Sequence, residues 1–111
     1  MGDGTKYAVF GDIHGNIEAL EAVLEDAEKQ GVTAYACVGD IVGYNAAPAQ
    51  CLDRIIGLRC LCVQGNHDYY SSTSDLLKDF HPLAASVIEW TRQVLTPEQK
   101  EYLRKLRQTR L

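Results

Sequence analysis

The chain has 111 residues, 46% of them hydrophobic and 23% charged, with a formal net charge of −4. That composition supports a single globular domain with a real core and excludes a disordered tract. The acidic balance argues against a non-specific grip on nucleic acid, which needs many Lys and Arg contacts to phosphate, and no apolar run approaches the ~20 residues of a membrane helix.

In chain order, residues 1–5 read as a flexible N-terminus and Lys6–Phe10 as a strand, short, apolar and stopped by glycine. Asn16–Gln30 reads as a helix whose stripe is Ile17, Leu20, Val23, Leu24 and Ala27, capped by Asn16 and ended by Gly31. Ala34–Val38 is a second expected strand, Pro48–Ile56 a helix with proline in its first turn, and Leu58–Gln64 a third strand. Residues 79–111 read as a helical C-terminal region. Its first helix, Pro82–Leu95, is expected to bury Leu83, Val87, Trp90 and Val94, and the next opens on the capping box Thr96-Pro97-Glu98-Gln99. From Pro97 onward Lys100, Arg104, Lys105, Arg107 and Arg110 outnumber Glu98 and Glu101, so this end is basic and the rest distinctly acidic.

Alternating strands and helices predict an α/β fold, a βαβαβ parallel sheet flanked by helices on both faces. Ligands bind such sheets beyond the carboxyl ends of the strands. Cys37, Cys51, Cys60 and Cys62 lack a C-x-x-C spacing, and three of them sit in apolar runs. Buried, reduced thiols are therefore expected, and with no basic, apolar leader at the start the expected location is cytoplasmic.

Three motifs stand where the strands end: G-D-I-H-G at 11–15, G-D-I-V-G-Y-N at 39–45 and G-N-H-D at 65–68. An isolated Gly-Asp is usually a turn. Three at successive strand ends point instead to one site, to which they can deliver Asp12, His14, Asp40, Asn66 and His67. Carboxylates, imidazole and an amide oxygen suit Mn²⁺, Fe or Zn²⁺ better than Ca²⁺. Asp40, with two oxygens, could bridge a pair of ions. The phosphate-binding patterns G-x-x-x-x-G-K-[ST] and G-x-G-x-x-G are absent, as is the nucleophile elbow G-x-S-x-G.

In order and spacing these motifs resemble the calcineurin-like metallophosphoesterases, and the later stretch 80–106 is similar to the helical region of a small prokaryotic phosphodiesterase-like branch. The resemblance implies a phosphoesterase with two divalent metal ions, Mn²⁺ first, with Fe, Zn²⁺ or Ni²⁺ as alternatives, and a hydroxide bridging them. It implies that Asp12 and His14 bind the first ion, Asp40 bridges both, Asn66 binds the second, and His67 sits beside the phosphate as proton donor or charge stabiliser. Two ions of this kind lower the pKa of a shared water and clamp the oxygens of an in-line displacement.

The protein serine/threonine phosphatase branch carries Asp and Arg where this chain has Gly43 and Tyr44. A phosphoprotein substrate is therefore not expected. The family completes its site with later histidines, including a G-H-x-H pair, whereas only His14, His67 and His81 occur here. His81, before Pro82, reads as structural or surface. On this resemblance the chain is the N-terminal half of a two-sheet sandwich, with an uncovered apolar face and an open sheet edge. Those surfaces predict a partner, either a second copy or the C-terminal half, besides the phosphoester substrate. The rival reading is a non-catalytic interaction or oligomerisation module that keeps the same fold.

Overall fold

The computed structural model describes residues 5–44 and 46–108. The elements run β1 (Tyr7–Phe10), α1 (Ile17–Lys29), β2 (Ala34–Cys37), α2 (Pro48–Gly57), β3 (Leu61–Cys62), α3 (Asn66–Ser72), α4 (Pro82–Val94) and α5 (Pro97–Lys105). Of the N-terminal stretch 1–5 only Thr5 lies among the described residues, and Asn45 of the second motif lies outside them.

The three strands are parallel, in the order β1-β2-β3, with Val9 beside Ala36 and Ala36 beside Leu61. Local chemistry sets the helix ends as the sequence predicts. The Asn16 side chain accepts from the Ala19 N–H at 3.0 Å, and Gly31 follows α1 with φ +76°. The Thr96–Gln99 box closes in both directions, at 3.1 and 2.9 Å. His81 is an exposed cap, its Nδ1 accepting from the Leu83 N–H at 3.1 Å. The four cysteines are buried, and none forms a disulfide. Burial pushes the Cys51 thiol up to about 12, which keeps it protonated and inert.

Four expectations are corrected. Helices do not cover both faces of the sheet. With strands in sequential order, right-handed crossovers place α1 and α2 on the same side, where Leu20, Leu24, Leu52 and Ile55 pack on Cys37 and Cys62. The opposite face is bare: Tyr7, Val9, Val38 and Leu61 are all more than half exposed. An open apolar face, as the sequence leads one to expect, is therefore present on this side of the sheet.

The third strand is shorter than Leu58–Gln64. Arg59 takes φ +53°, and Val63 pairs with Arg107 in an isolated parallel bridge beyond β3. Helix α3 is an element the sequence does not announce: G-N-H-D reads as a site motif at a strand end, and no helix is expected over 66–72.

Helix α4, finally, turns its other side inward. Ile88, Thr91 and the following Leu95 are buried, while Leu83 is 70% exposed and Trp90 41%. The buried stripe is displaced by one residue, about 100° around the helix, from the expected one. Arg92 on the inward side donates to the carbonyls of Tyr70 and Asp75 at 2.9 and 2.8 Å, tying α4 to α3. Among the described residues no helix is long and apolar enough to cross a membrane.

Candidate metal centre

Strands β1 and β2 lie side by side, so the loops that leave their carboxyl ends start as neighbours. The pairing continues past the strands. The N–H groups of Asp12, His14 and Gly15 donate to the carbonyls of Gly39, Asp40 and Ile41 at 3.1, 2.9 and 2.9 Å. This zipper brings the ligand atoms of Asp12, His14 and Asp40 to within 4.8 Å of one another.

The backbone is strained to do so. Among the described residues the non-glycine positions with positive φ are Asp12, His14, Asp40, Tyr44 and Arg59, and the first four belong to these two loops. Asp and His tolerate the left-handed region better than most residues. Such strain concentrates at functional sites, where the surrounding structure holds it in place.

The imidazole of His14 is oriented for ligation. Its Nδ1 lies 3.2 Å from the Val42 carbonyl and donates to it, which leaves the lone pair on Nε2, 3.7 Å from Asp12 Oδ1. One oxygen of Asp40 accepts from the His67 N–H at 3.0 Å, and its other oxygen stays available.

His67 is buried at the start of α3. Its ring centroid stands 5.0 Å from that of His14 and 4.5 Å from that of Tyr44. Its Nδ1 is buried without a hydrogen-bond partner, an orphan atom close to the cluster. Burial holds the ring below the ordinary imidazole range, with Asp40 pulling upward and His14 downward. Space around it depends on Gly43, where φ is +104° and a Cβ would collide with His67 Nδ1. The Gly43–Tyr44 pair thus has a local steric reason.

Asn66 is exposed at the first turn of α3 and lines a separate surface cavity with Gly65, Tyr69 and Tyr70. Asp12 and His14 line another with Phe10, Leu20 and Tyr44, of about 230 Å³.

Asp68, to which the sequence reading gave no role, is fully buried. Its carboxylate accepts from the N–H groups of Asp40, Ile41 and Gly65 at 2.9, 2.9 and 3.0 Å, and from Val42 at 3.3 Å. It clasps the second motif onto the third. Burial pushes its carboxyl up to about 6, while the donated N–H bonds pull it down. The available signal was its place three residues after Gly65, where an acidic side chain reaches back to a helix N-terminus.

The donor set fits divalent cations: His14 and Asp40, whose side chains are oriented by backbone hydrogen bonds, and the exposed carboxylate of Asp12, beside an orphan imidazole nitrogen.

Comparison with known proteins agrees with this geometry. The calcineurin-like phosphoesterase family model matches residues 5–103. The uncharacterized protein MJ0912 of Methanocaldococcus jannaschii is 45% identical over 96 residues, which is 86% of this chain and 40% of that protein. The crystal structure of a metallophosphoesterase from Sphaerobacter thermophilus superposes with a TM-score of 0.78 at 35% identity, covering 94% of this chain and 42% of that one. The chain therefore spans about two fifths of the length of these relatives. By the extent of the family match, this chain belongs to the calcineurin-like phosphoesterases.

Proposed function

We propose that this chain carries the first half of a metal-dependent phosphoesterase site, in which Asp12, His14, Asp40 and Asn66 hold two divalent cations and His67 stands beside the substrate phosphate. Mn²⁺ is the first choice of ion, with Fe, Zn²⁺ and Ni²⁺ as alternatives for the same donor types. The single observation that supports the reading most is the convergence of the Asp12, His14 and Asp40 ligand atoms within 4.8 Å at the carboxyl ends of two strands.

When bound, the ions supply a water acidic enough to attack at neutral pH and offset the negative charge of the phosphoester. The rest falls to the chain. The Val42 carbonyl sets the tautomer of His14, and the His67 N–H holds Asp40 so that one carboxylate serves both loops. The buried imidazole of His67, packed between His14 and Tyr44, offers a nitrogen for a phosphate oxygen or a leaving group. The protein is read as acting in the cytoplasm.

Calorimetric titration with Mn²⁺ tests the ligand set, and hydrolysis of bis-p-nitrophenyl phosphate by a relative-length protein tests the activity. Asp40→Asn is expected to weaken Mn²⁺ binding by at least the roughly 10–100-fold that outer-shell partners alone are worth. Binding unchanged in that variant refutes the assignment.

A second reading, an interaction or oligomerisation module, is favoured by the bare sheet face at Tyr7, Val9, Val38 and Leu61. Its mark is a stable dimer on size exclusion without metal. A monomer whose Mn²⁺ binding is intact argues for the site instead.

A further inference from the structure

We propose that the open cleft between the C-terminal end of α3, the following 73–75 segment, α4 and α5 is a second binding site, for a phosphate-type oxyanion, built from Ser71, Lys100, Arg92 and Arg104. It measures about 520 Å³, within the size range of small-molecule sites, so it admits inorganic phosphate or a small phosphate monoester.

Its chemistry differs from that of the rest of the chain. In a protein of net charge −4, three cationic side chains and the hydroxyls of Ser71, Ser72, Thr73 and Ser74 line one cavity, against a single carboxylate, that of Asp75. Asp75 is engaged by the hydroxyl of Tyr69, which turns part of its acceptor capacity away from a ligand.

The arginines have a structural duty as well. Arg92 donates to the carbonyls of Tyr70 and Asp75, and Arg104 donates to that of Ser72 at 2.8 Å, so both satisfy the C-terminal end of α3. Glu89 and Glu101, outside the cavity lining, also pair with Arg92 and Arg104 at 2.9 and 2.8 Å, so both guanidinium groups are held in place, each with N–H groups to spare among its five, and among the described residues Lys100 is the cation that no carboxylate offsets. Two groups have no such duty. Among the described residues Lys100 makes no ion pair, although it lies half-buried in this wall. Ser71 is fully buried, and its Oγ has no hydrogen-bond partner, whereas its neighbour Ser72 donates to the Asp68 carbonyl at 2.8 Å. An unpaired buried hydroxyl costs stability unless a ligand satisfies it. A tetrahedral oxyanion would accept from Ser71, Lys100 and the fixed arginines together, in charge-assisted hydrogen bonds. Ser71 stands about one turn of α3, roughly 6 Å, beyond His67, and none of Asp12, His14 and Asp40 lines this cavity, so it is distinct from the metal centre and does not rest on that reading.

Inorganic phosphate titrated into the chain in EDTA, against KCl of equal ionic strength, tests this without the metal centre. We expect one phosphate per chain, with amide shifts at Ser71, Thr73 and Lys100. Lys100→Gln should weaken binding about tenfold, the worth of one charge-assisted hydrogen bond. Ser71→Ala should weaken it several-fold while leaving Tm unchanged or raised, because it deletes a hydroxyl that the empty protein leaves unpaired. Failure of phosphate to bind, shifts confined to the Asp12–His14 edge, the same shifts from KCl, or parent-like affinity in both variants would overturn the proposal.

Discussion

The loop edge of the sheet and helix α4 lie in the same small molecule and answer to different rules. At the loop edge almost every position has a polar reason: Asp40, His67 and Asp68 are joined through hydrogen bonds to backbone, and Gly43 is fixed by the ring it must clear. Along α4 two apolar stripes run side by side, and the larger side chains point outward. Polar loops whose partners are set by covalent spacing tolerate one arrangement. An amphipathic helix with apolar residues on two faces tolerates two until its neighbours choose.

Those neighbours are α2 and α3, the latter tied to α4 through Arg92 and the Tyr70 carbonyl. The inward stripe of α4 includes Thr91, whose hydroxyl donates to the Val87 carbonyl at 2.9 Å and so buries without an orphan group. Most of the apolar weight on this stripe is Ile88, which is fully buried. Ile88→Ala is therefore expected to cost about 2–5 kcal/mol, the range for deleting a large core side chain. Urea denaturation measures it, and a cost near zero would restore the outward stripe as the packing face.

The clasp at the loop edge should give the next largest effect. Asp68→Asn keeps the size of the side chain but replaces one acceptor oxygen with an amide donor, facing N–H groups that already donate. Two of the four N–H groups now on its oxygens, those of Asp40 and Gly65, share Oδ2. Leaving them unmet should cost about 2–3 kcal/mol and loosen the Asp12–Asp40 approach. Mn²⁺ affinity falling together with stability is the expected signature. Stability unaffected, with affinity alone reduced, would make Asp68 something other than a clasp.

Much of this was legible in the sequence, for physical reasons that differ from place to place. Asn16, Gly31, Pro48 and the Thr96–Gln99 box act within one turn of backbone, so their spelling suffices. The approach of Asp12, His14 and Asp40 follows from parallel strands, which bring successive carboxyl ends to one edge. What could not be read depends on tertiary context. Helix α3 is only seven residues and has no apolar period to announce it. The role of Asp68 needs the 40–42 loop to be present before its oxygens have donors. The single covered face of the sheet follows from strand order, which short apolar runs do not encode. Asn66 is legible as a metal-capable residue by its spelling, and its exposed place on α3 leaves the ligand role to be tested by titration.

The smallest effect sharpens the comparison most. Leu83 is the most prominent residue of the outward stripe, 70% exposed at the first turn of α4. Truncating an exposed side chain with no buried partners usually moves stability by no more than about 0.5 kcal/mol. Leu83→Ala should therefore leave the urea midpoint of the monomer almost unchanged, while Ile88→Ala, five positions along the same helix, shifts it strongly. The pair is informative because both deletions remove the same aliphatic bulk and differ only in which side of α4 they empty. A large loss at Leu83 at low protein concentration would mean that α4 packs by the stripe its sequence advertises. A loss that appears only at high concentration would mean instead that the outward stripe is covered by a second copy.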